Sequence, residues 1–208
     1  MPDRDYERFA GAAAIAAGIG GLIYSVAFIG GVVLKGAVDA GTAISSTALL
    51  VGGFLTAVVA VALFGRAQAA GRLAAIIGLV FAVAGSLGGA VHGGNDLANV
   101  IHKPLTDVFA ANDLPNPVDP RGLLTFGAAG IGLFTLVWQL RRAGQLRDWR
   151  GTLGLVVGSF LVVIYLGRLI ILSPTNPLVA AIAGLTGFIL SPVFYVAIGF
   201  WLRGSDSA

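Results

Sequence analysis

Long apolar runs alternate along this chain with short polar breaks, and the runs are apolar on every side instead of along one stripe. Six of them reach spanning length, at 9–34, 42–64, 73–91, 123–140, 152–172 and 178–202. A helix needs about twenty residues to cross a hydrocarbon core about 30 Å thick. Strands of a membrane barrel would alternate apolar and polar residues, and these runs do not. The pattern therefore predicts an all-α, polytopic bundle of six transmembrane helices. The first run exceeds the length of a signal-peptide core, about 7–15 residues, and reads as a permanent span. With nearly every stretch committed to a span or its turns, a single transmembrane domain covering 1–208 is expected.

Composition agrees with the pattern. Hydrophobic residues make up 57% of the chain and charged residues 11%, against about 25% charged in soluble domains. The bilayer is the solvent this sequence is written for. The absence of cysteine excludes disulfides, thiolate metal sites and a cysteine nucleophile. The net charge of +3 would suggest nucleic acid in a soluble protein, but these basic residues sit at the ends of apolar runs and follow membrane topology instead. No nucleic-acid partner and no cofactor are expected.

Orientation follows from counting lysine and arginine at the two ends of the spans. With the N-terminus inside, the inner set is Arg4, Arg8, Arg66, Arg72, Arg141, Arg142, Arg147, Arg150 and Arg203, and the outer set is Lys35, Lys103, Arg121 and Arg168. Nine against four, concentrated in one short arginine-rich loop, predicts a multi-pass protein of the cell membrane with both termini cytoplasmic. Trp138, Trp149 and Trp201 fall at the same inner interface. Arg141, Arg142, Arg147 and Arg150 are then placed to attract anionic lipid headgroups. On the outer side, Pro104, Pro115, Pro117 and Pro120 with Asp107, Asp113 and Asp119 predict an extended, solvated loop.

Glycine changes the picture of how the spans associate. The chain has 31, and Gly85, Gly89 and Gly93 recur every four residues, a spacing that lets helix backbones approach closely. On that ground the third span is expected at the centre of the bundle. An offset of 106 residues aligns Val51-Gly52-Gly53-Phe54-Leu55 with Val157-Gly158-Ser159-Phe160-Leu161. Three helices per half would then give a 3+3 inverted repeat, although a chain this rich in Gly, Ala, Val and Leu produces such matches by chance as readily.

One dense polar cluster stands next to a span, from His92 to Lys103 at the outer end of the third helix, and it holds both histidines. On a continuing helix, His92, Asn95, Asp96, Asn99 and His102 share one face. Three readings follow. The first is a substrate or ion site of His92, Asn95, Asp96, Asn99 and Arg168, with Asp96 as the fixed charge, Arg168 of the fifth span as its partner, and Gly93-Gly94 breaking the helix to open a polar cavity. The second, a metal held by His92 and Asp96, offers two ligands where three are the usual minimum, so no metal is expected. The third is proton transfer through His92. Against these stands a plain alternative: a helix entering at residue 73 has crossed the hydrocarbon by about residue 92, leaving a solvated helix end with an interfacial ion pair. Ser86, His92 and Asp96 could be imagined as a hydrolytic triad, but no nucleophile-elbow pattern surrounds any serine, and an enzyme is the least favoured class.

Across its length the chain resembles a bacterial family of six-helix membrane proteins of unknown function. The carrying residues are Arg8-Phe9-Ala10-Gly11, the turn from Arg66 to Arg72, the run Leu146 to Gly154 and the aromatic and basic finish Ala197 to Gly204. The sequence departs from that pattern at Ser191-Pro192. The resemblance implies the six-helix fold and no mechanism.

Two functional classes remain. One is a small transporter or channel with an outward-facing polar site, which needs a polar cavity. The other is a membrane scaffold or partner subunit, as a homo-oligomer or with another membrane protein, which needs a filled interior and an open glycine-lined outer groove.

Overall fold

The computed structural model describes residues 3–102, 121–171 and 176–204. Within them, six helices are long and apolar enough to cross a membrane: α1 (Arg4–Val33), α2 (Val38–Ala67), α3 (Arg72–Ile101), α4 (Leu123–Arg142), α5 (Trp149–Ile170) and α6 (Pro177–Gly204). The outer loop expected to be extended, with Lys103 and the prolines and acids that follow it, lies outside the described residues.

Each helix outruns the apolar segment that announced it, because backbone hydrogen bonding continues where hydropathy stops. At the start of α1 the Asp3 carboxylate accepts from the Asp5 N–H at 3.1 Å, which carries the helix through its polar first turns. The largest extension is in α3, which runs unbroken to Ile101, some ten residues past the expected end at 91. Gly93-Gly94 do not break it. A Cβ added at Gly93 would sit 2.5 Å from the Leu50 nitrogen and the Ser46 oxygen of α2, so glycine here serves close helix packing.

The packed pairs fix the topology. Gly31 lies against Gly41 and Gly53 against Ser86 and Ala90, while Gly85 meets Ala129, Gly130 meets Gly158, and Gly167 meets Val179. In every pair one number rises as its partner falls along the neighbouring helix, so consecutive helices are antiparallel. Gly11 and Gly18 of α1 pack on Gly199 and Pro192 of α6, which closes the six helices into a ring. An even number of antiparallel helices leaves both termini at one end, here the terminal end; the other is the far end.

Helix α3 packs between α2 and α4, which also touch each other, so it is a ring member and not the centre. Its glycines divide their contacts: Gly85 faces α4 and Gly93 faces α2. Steps of four residues advance about 40° beyond a full turn, so the stripe drifts from one neighbour to the other.

Side chains are distributed inside out relative to a soluble protein. Phe9, Phe54, Leu73, Val80, Ile170 and Phe200 are more than half exposed, whereas alanines such as Ala10, Ala14, Ala62, Ala67 and Ala75 are fully buried. Only hydrocarbon can cover such a surface, and small residues inside let the helices gain packing energy that lipid cannot supply. The chain is an integral membrane protein.

Three helices contain π-helical turns, at Ala27–Val33 in α1, Leu123–Ala128 in α4 and Thr186–Leu190 in α6. The last immediately precedes Ser191-Pro192. Proline lacks an N–H and its ring crowds the carbonyl four residues back, and the widened turn accommodates it without ending the helix.

Candidate functional site

The ring is filled at its terminal end and hollow around mid-depth. At the terminal end Leu63, Leu136, Leu140, Phe194, Ile198 and Leu202 are essentially fully buried and plug the axis. A bidentate pair ties that end together: Arg66 of α2 donates from Nε and Nη2 to the two Glu7 carboxylate oxygens of α1 at 2.7 and 2.6 Å. The same guanidinium lies 4.4 Å from the ring centroid of Trp201 on α6, an added cation–π contact.

Around mid-depth, a cavity of about 200 Å³ is lined by all six helices, with Leu63 and Leu136 of the plug at its floor. Its wall is uncharged. Glycines, alanines and larger aliphatic side chains share it, and the polar groups are hydroxyls: Tyr24, Thr56, Ser86, Thr125, Ser191 and Tyr195. Thr56 Oγ1 lies 3.0 Å from Ser86 Oγ and equally far from the Gly53 carbonyl oxygen. Tyr24, Ser191 and Tyr195 make no side-chain hydrogen bond to a described residue. The π turns of α1, α4 and α6 abut this cavity: Tyr24 lies one turn before the first, Thr125 within the second, and Ser191 directly after the third.

Thr125 joins the cavity to the polar cluster. His92 Nδ1 lies 3.4 Å from Thr125 Oγ1, His92 Nε2 lies 3.4 Å from Asp96 Oδ2, and Asp96 Oδ1 accepts from Arg121 Nη1 at 2.8 Å. A continuous chain thus runs from the cavity wall to the far-end surface. The Asp96 and Arg121 side chains are 33% and 20% exposed, so the pair is interfacial, as the length of the third span implied.

The residues singled out from sequence divide accordingly. His92 and Asp96 are brought together, one helical turn apart. Asn95 and Asn99 share their helix and are partly buried. Arg168 is not the partner of Asp96: its guanidinium faces the Phe126 ring at 6.0 Å, and Arg121 takes the carboxylate instead. The reason is reach, because Arg121 enters α4 right beside the α3 helix whose extension carries Asp96. Among the described residues no group of three or more His, Asp or Glu side chains converges to hold a metal, and Ser86 turns to Thr56 rather than to His92. Thr125 and Tyr195, which line the cavity, were not among the residues singled out from sequence. Isolated hydroxyls in apolar runs carry no spacing signal; only the closing of the ring gathers them.

The arginine-rich turn is rigid. Gly144, at φ +81°, follows α4; the Gln145 N–H donates to the Leu140 carbonyl and the Gly144 N–H to the Arg141 carbonyl, both at 3.0 Å. These are the paired bonds of a Schellman ending, which favours glycine at that position. Leu146 is fully buried and pins the turn, and Asp148 accepts from the Arg150 N–H at 3.1 Å to cap α5. The Arg150 side chain beside it holds the Asp148 carboxyl below the usual carboxylate range. Arg141 donates to Thr152 Oγ1 at 2.7 Å.

A second concavity, about 440 Å³, opens on the outside of the ring between α1 and α2, where Gly20, Gly52 and Thr47 join an aliphatic wall. A Cβ added at either glycine would meet no atom within 4 Å. No family model matches the chain, and no curated protein and no solved structure is similar to it.

Proposed function

We propose that this protein is a small transporter or channel whose pathway is the central cavity and whose outward-facing mouth is the polar cluster of His92, Asn95, Asp96, Asn99, Arg121 and Thr125. The observation that carries the reading is the hollow itself: six helices meet around about 200 Å³ of space that larger side chains would have filled had only stability been at stake. A chain of side-chain contacts through Thr125 and His92 links the cavity wall to charged groups at the far end. Its other end is plugged, as a site open to one side at a time requires. Arg168, on the Phe126 ring, stands beside this mouth as a second cation.

The excess of arginine at the terminal end supports placing both termini in the cytoplasm. In that orientation Arg142 and Arg147, exposed on the rigid turn, meet anionic headgroups of the inner leaflet.

The reading is tested by reconstituting the protein in liposomes and following solute flux, with Gly89→Leu as the blocked control. Gly89 is buried on the cavity wall, and an added Cβ meets only Leu49 Cδ1 at 3.7 Å, so a leucine there fills the hollow. Flux that Gly89→Leu abolishes supports a pathway through the cavity; flux equal to that of empty liposomes for every solute tried removes it.

The scaffold reading keeps one specific observation, the open groove between α1 and α2 with Gly20 and Gly52 in its wall. It takes precedence if crosslinking in native membranes joins this groove to a second copy or another membrane helix and Gly20→Leu, at a groove glycine that does not line the cavity, prevents the crosslink.

A further inference from the structure

We infer that the central cavity admits small uncharged hydrogen-bonding solutes, of the class of water, urea and glycerol, and excludes ions. The inference rests on the transport reading for its biological sense but is argued from the chemistry of the wall alone.

Every polar side chain facing the hollow is a hydroxyl, and no ionised group lines it. An ion leaving water for such a site loses hydration worth several kcal/mol at the least, and no opposite charge or ring of carbonyls stands there to replace it. The charges nearest the mouth lie outside the wall: Asp96 is held by Arg121 and reached by His92, and Arg168 rests on the Phe126 ring. Nothing in the hollow itself attracts either sign.

The hydroxyls ask for something else. Tyr24, Ser191 and Tyr195 line the cavity without a hydrogen-bond partner among the described residues. Polar groups removed from bulk water are almost always paired, and an unpaired one costs about 1–3 kcal/mol. The cavity's contents therefore supply the partners. A hydroxyl both donates and accepts, which suits it to solutes that do the same and carry no charge. At about 30 Å³ per water the volume holds roughly six waters or one small polyol or amide in their place. The unpaired hydroxyls of Tyr24, Ser191 and Tyr195 come from α1 and α6 beside their π turns, and Thr125 lies within that of α4. A π turn widens the helix by one residue per turn and re-aims the side chains around it, which brings hydroxyls from three different helices onto one hollow.

The test uses the complete chain in liposomes and stopped-flow light scattering. Inward gradients of urea and of glycerol should give swelling several-fold faster than in protein-free liposomes. Gradients of potassium chloride or sodium acetate should give none beyond the lipid background. Gly89→Leu should return the neutral-solute rates to background; Gly21→Leu, at a cavity-lining glycine where an added Cβ meets nothing within 4 Å, provides a second block if the first variant does not fold. Salt flux that these variants abolish, without urea or glycerol flux, overturns the inference and leaves the transport reading standing.

A second readout separates the two. Because the chain has no cysteine, Ser191→Cys is a unique thiol on the cavity wall. Neutral methyl methanethiosulfonate should modify it far faster than the trimethylammonium analogue, relative to a free thiol. If this holds while no solute crosses, the transport reading fails and the cavity's preference for neutral solutes stands. Equal or faster modification by the cation, or none by either reagent, refutes the preference.

Discussion

The two ends of the ring are built on opposite principles although the same helices supply both. At the terminal end, large apolar side chains such as Phe194, Leu136 and Leu63 fill the axis, a bidentate ion pair locks α1 to α2, and the turn between α4 and α5 is fixed by a Schellman ending, a buried leucine and an aspartate cap. Toward the far end the buried polar groups are Ser25, Ser45, Ser46 and Thr186 and three helices carry π turns, while at mid-depth space is left on the axis. Packing density is a choice made locally. A bundle that needs only to be stable has no reason to be dense at one end and hollow at its middle, whereas one that admits a solute needs a firm base from which to hold the hollow open.

The comparison breaks most visibly at the plug. Phe194→Ala removes the largest fully buried side chain and is expected to cost about 3–5 kcal/mol, read as a lowered melting temperature in detergent; Tyr195→Phe, one position on but facing the cavity, should leave it nearly unchanged. If both melt alike, the two ends are not different in kind.

Next comes the clamp. Glu7→Ala removes the carboxylate paired with the Arg66 guanidinium, whose side chain is 14% exposed, and should cost about 3 kcal/mol. At the far end, Asp96→Asn loosens a pair one-third exposed on its acidic side and should cost about 0.5 kcal/mol. Chemical denaturation of both variants checks the ratio.

Glycine substitutions sharpen the contrast between closed and open surfaces. A Cβ at Gly132 would lie 2.5 Å from Ala82 Cα, so Gly132→Ala should destabilise by about 1–3 kcal/mol. Gly52→Ala, where nothing lies within 4 Å, should stabilise by about 0.5–1 kcal/mol through the lower backbone entropy cost of alanine.

An effect tied to pH belongs to the arginine-rich turn. Asp148→Ala should cost about 1 kcal/mol through loss of the α5 cap. The Asp148 carboxyl is held below its ordinary range in the folded state, so its contribution is full above the unfolded carboxylate range and is lost as pH falls through the lower folded value. The melting-temperature gap between wild type and Asp148→Asn should accordingly be constant near neutrality and close below about pH 4. A gap that persists in acid would show that the charge does not matter there.

Much of the fold was legible because hydropathy reports directly on the solvent. A run of apolar residues long enough to cross hydrocarbon has few alternatives to a helix, and all six were found with their order. Their ends were not. The polar residues 92–101 of α3 read as helix only through their three- and four-residue spacing, and the third span was marked as ending at 91. The candidate site was half legible for the same reason. His92 and Asp96 are neighbours on one helix, so spacing alone joins them. Arg121 and Arg168 are both cations on the outer side by topology, and nothing in the sequence says which one the carboxylate meets.

By itself the sequence determined the solvent, the helix count, the alternation of direction and the end that gathers positive charge, because each of these is a property of one segment and the lipid around it. Only the tertiary structure decided that the helices close into a ring, that the glycines of α3 serve two neighbours, and that hydroxyls scattered over distant segments face one hollow. Those outcomes depend on the rotation of each helix about its axis, which hydrocarbon on all sides leaves free and only contact between side chains fixes.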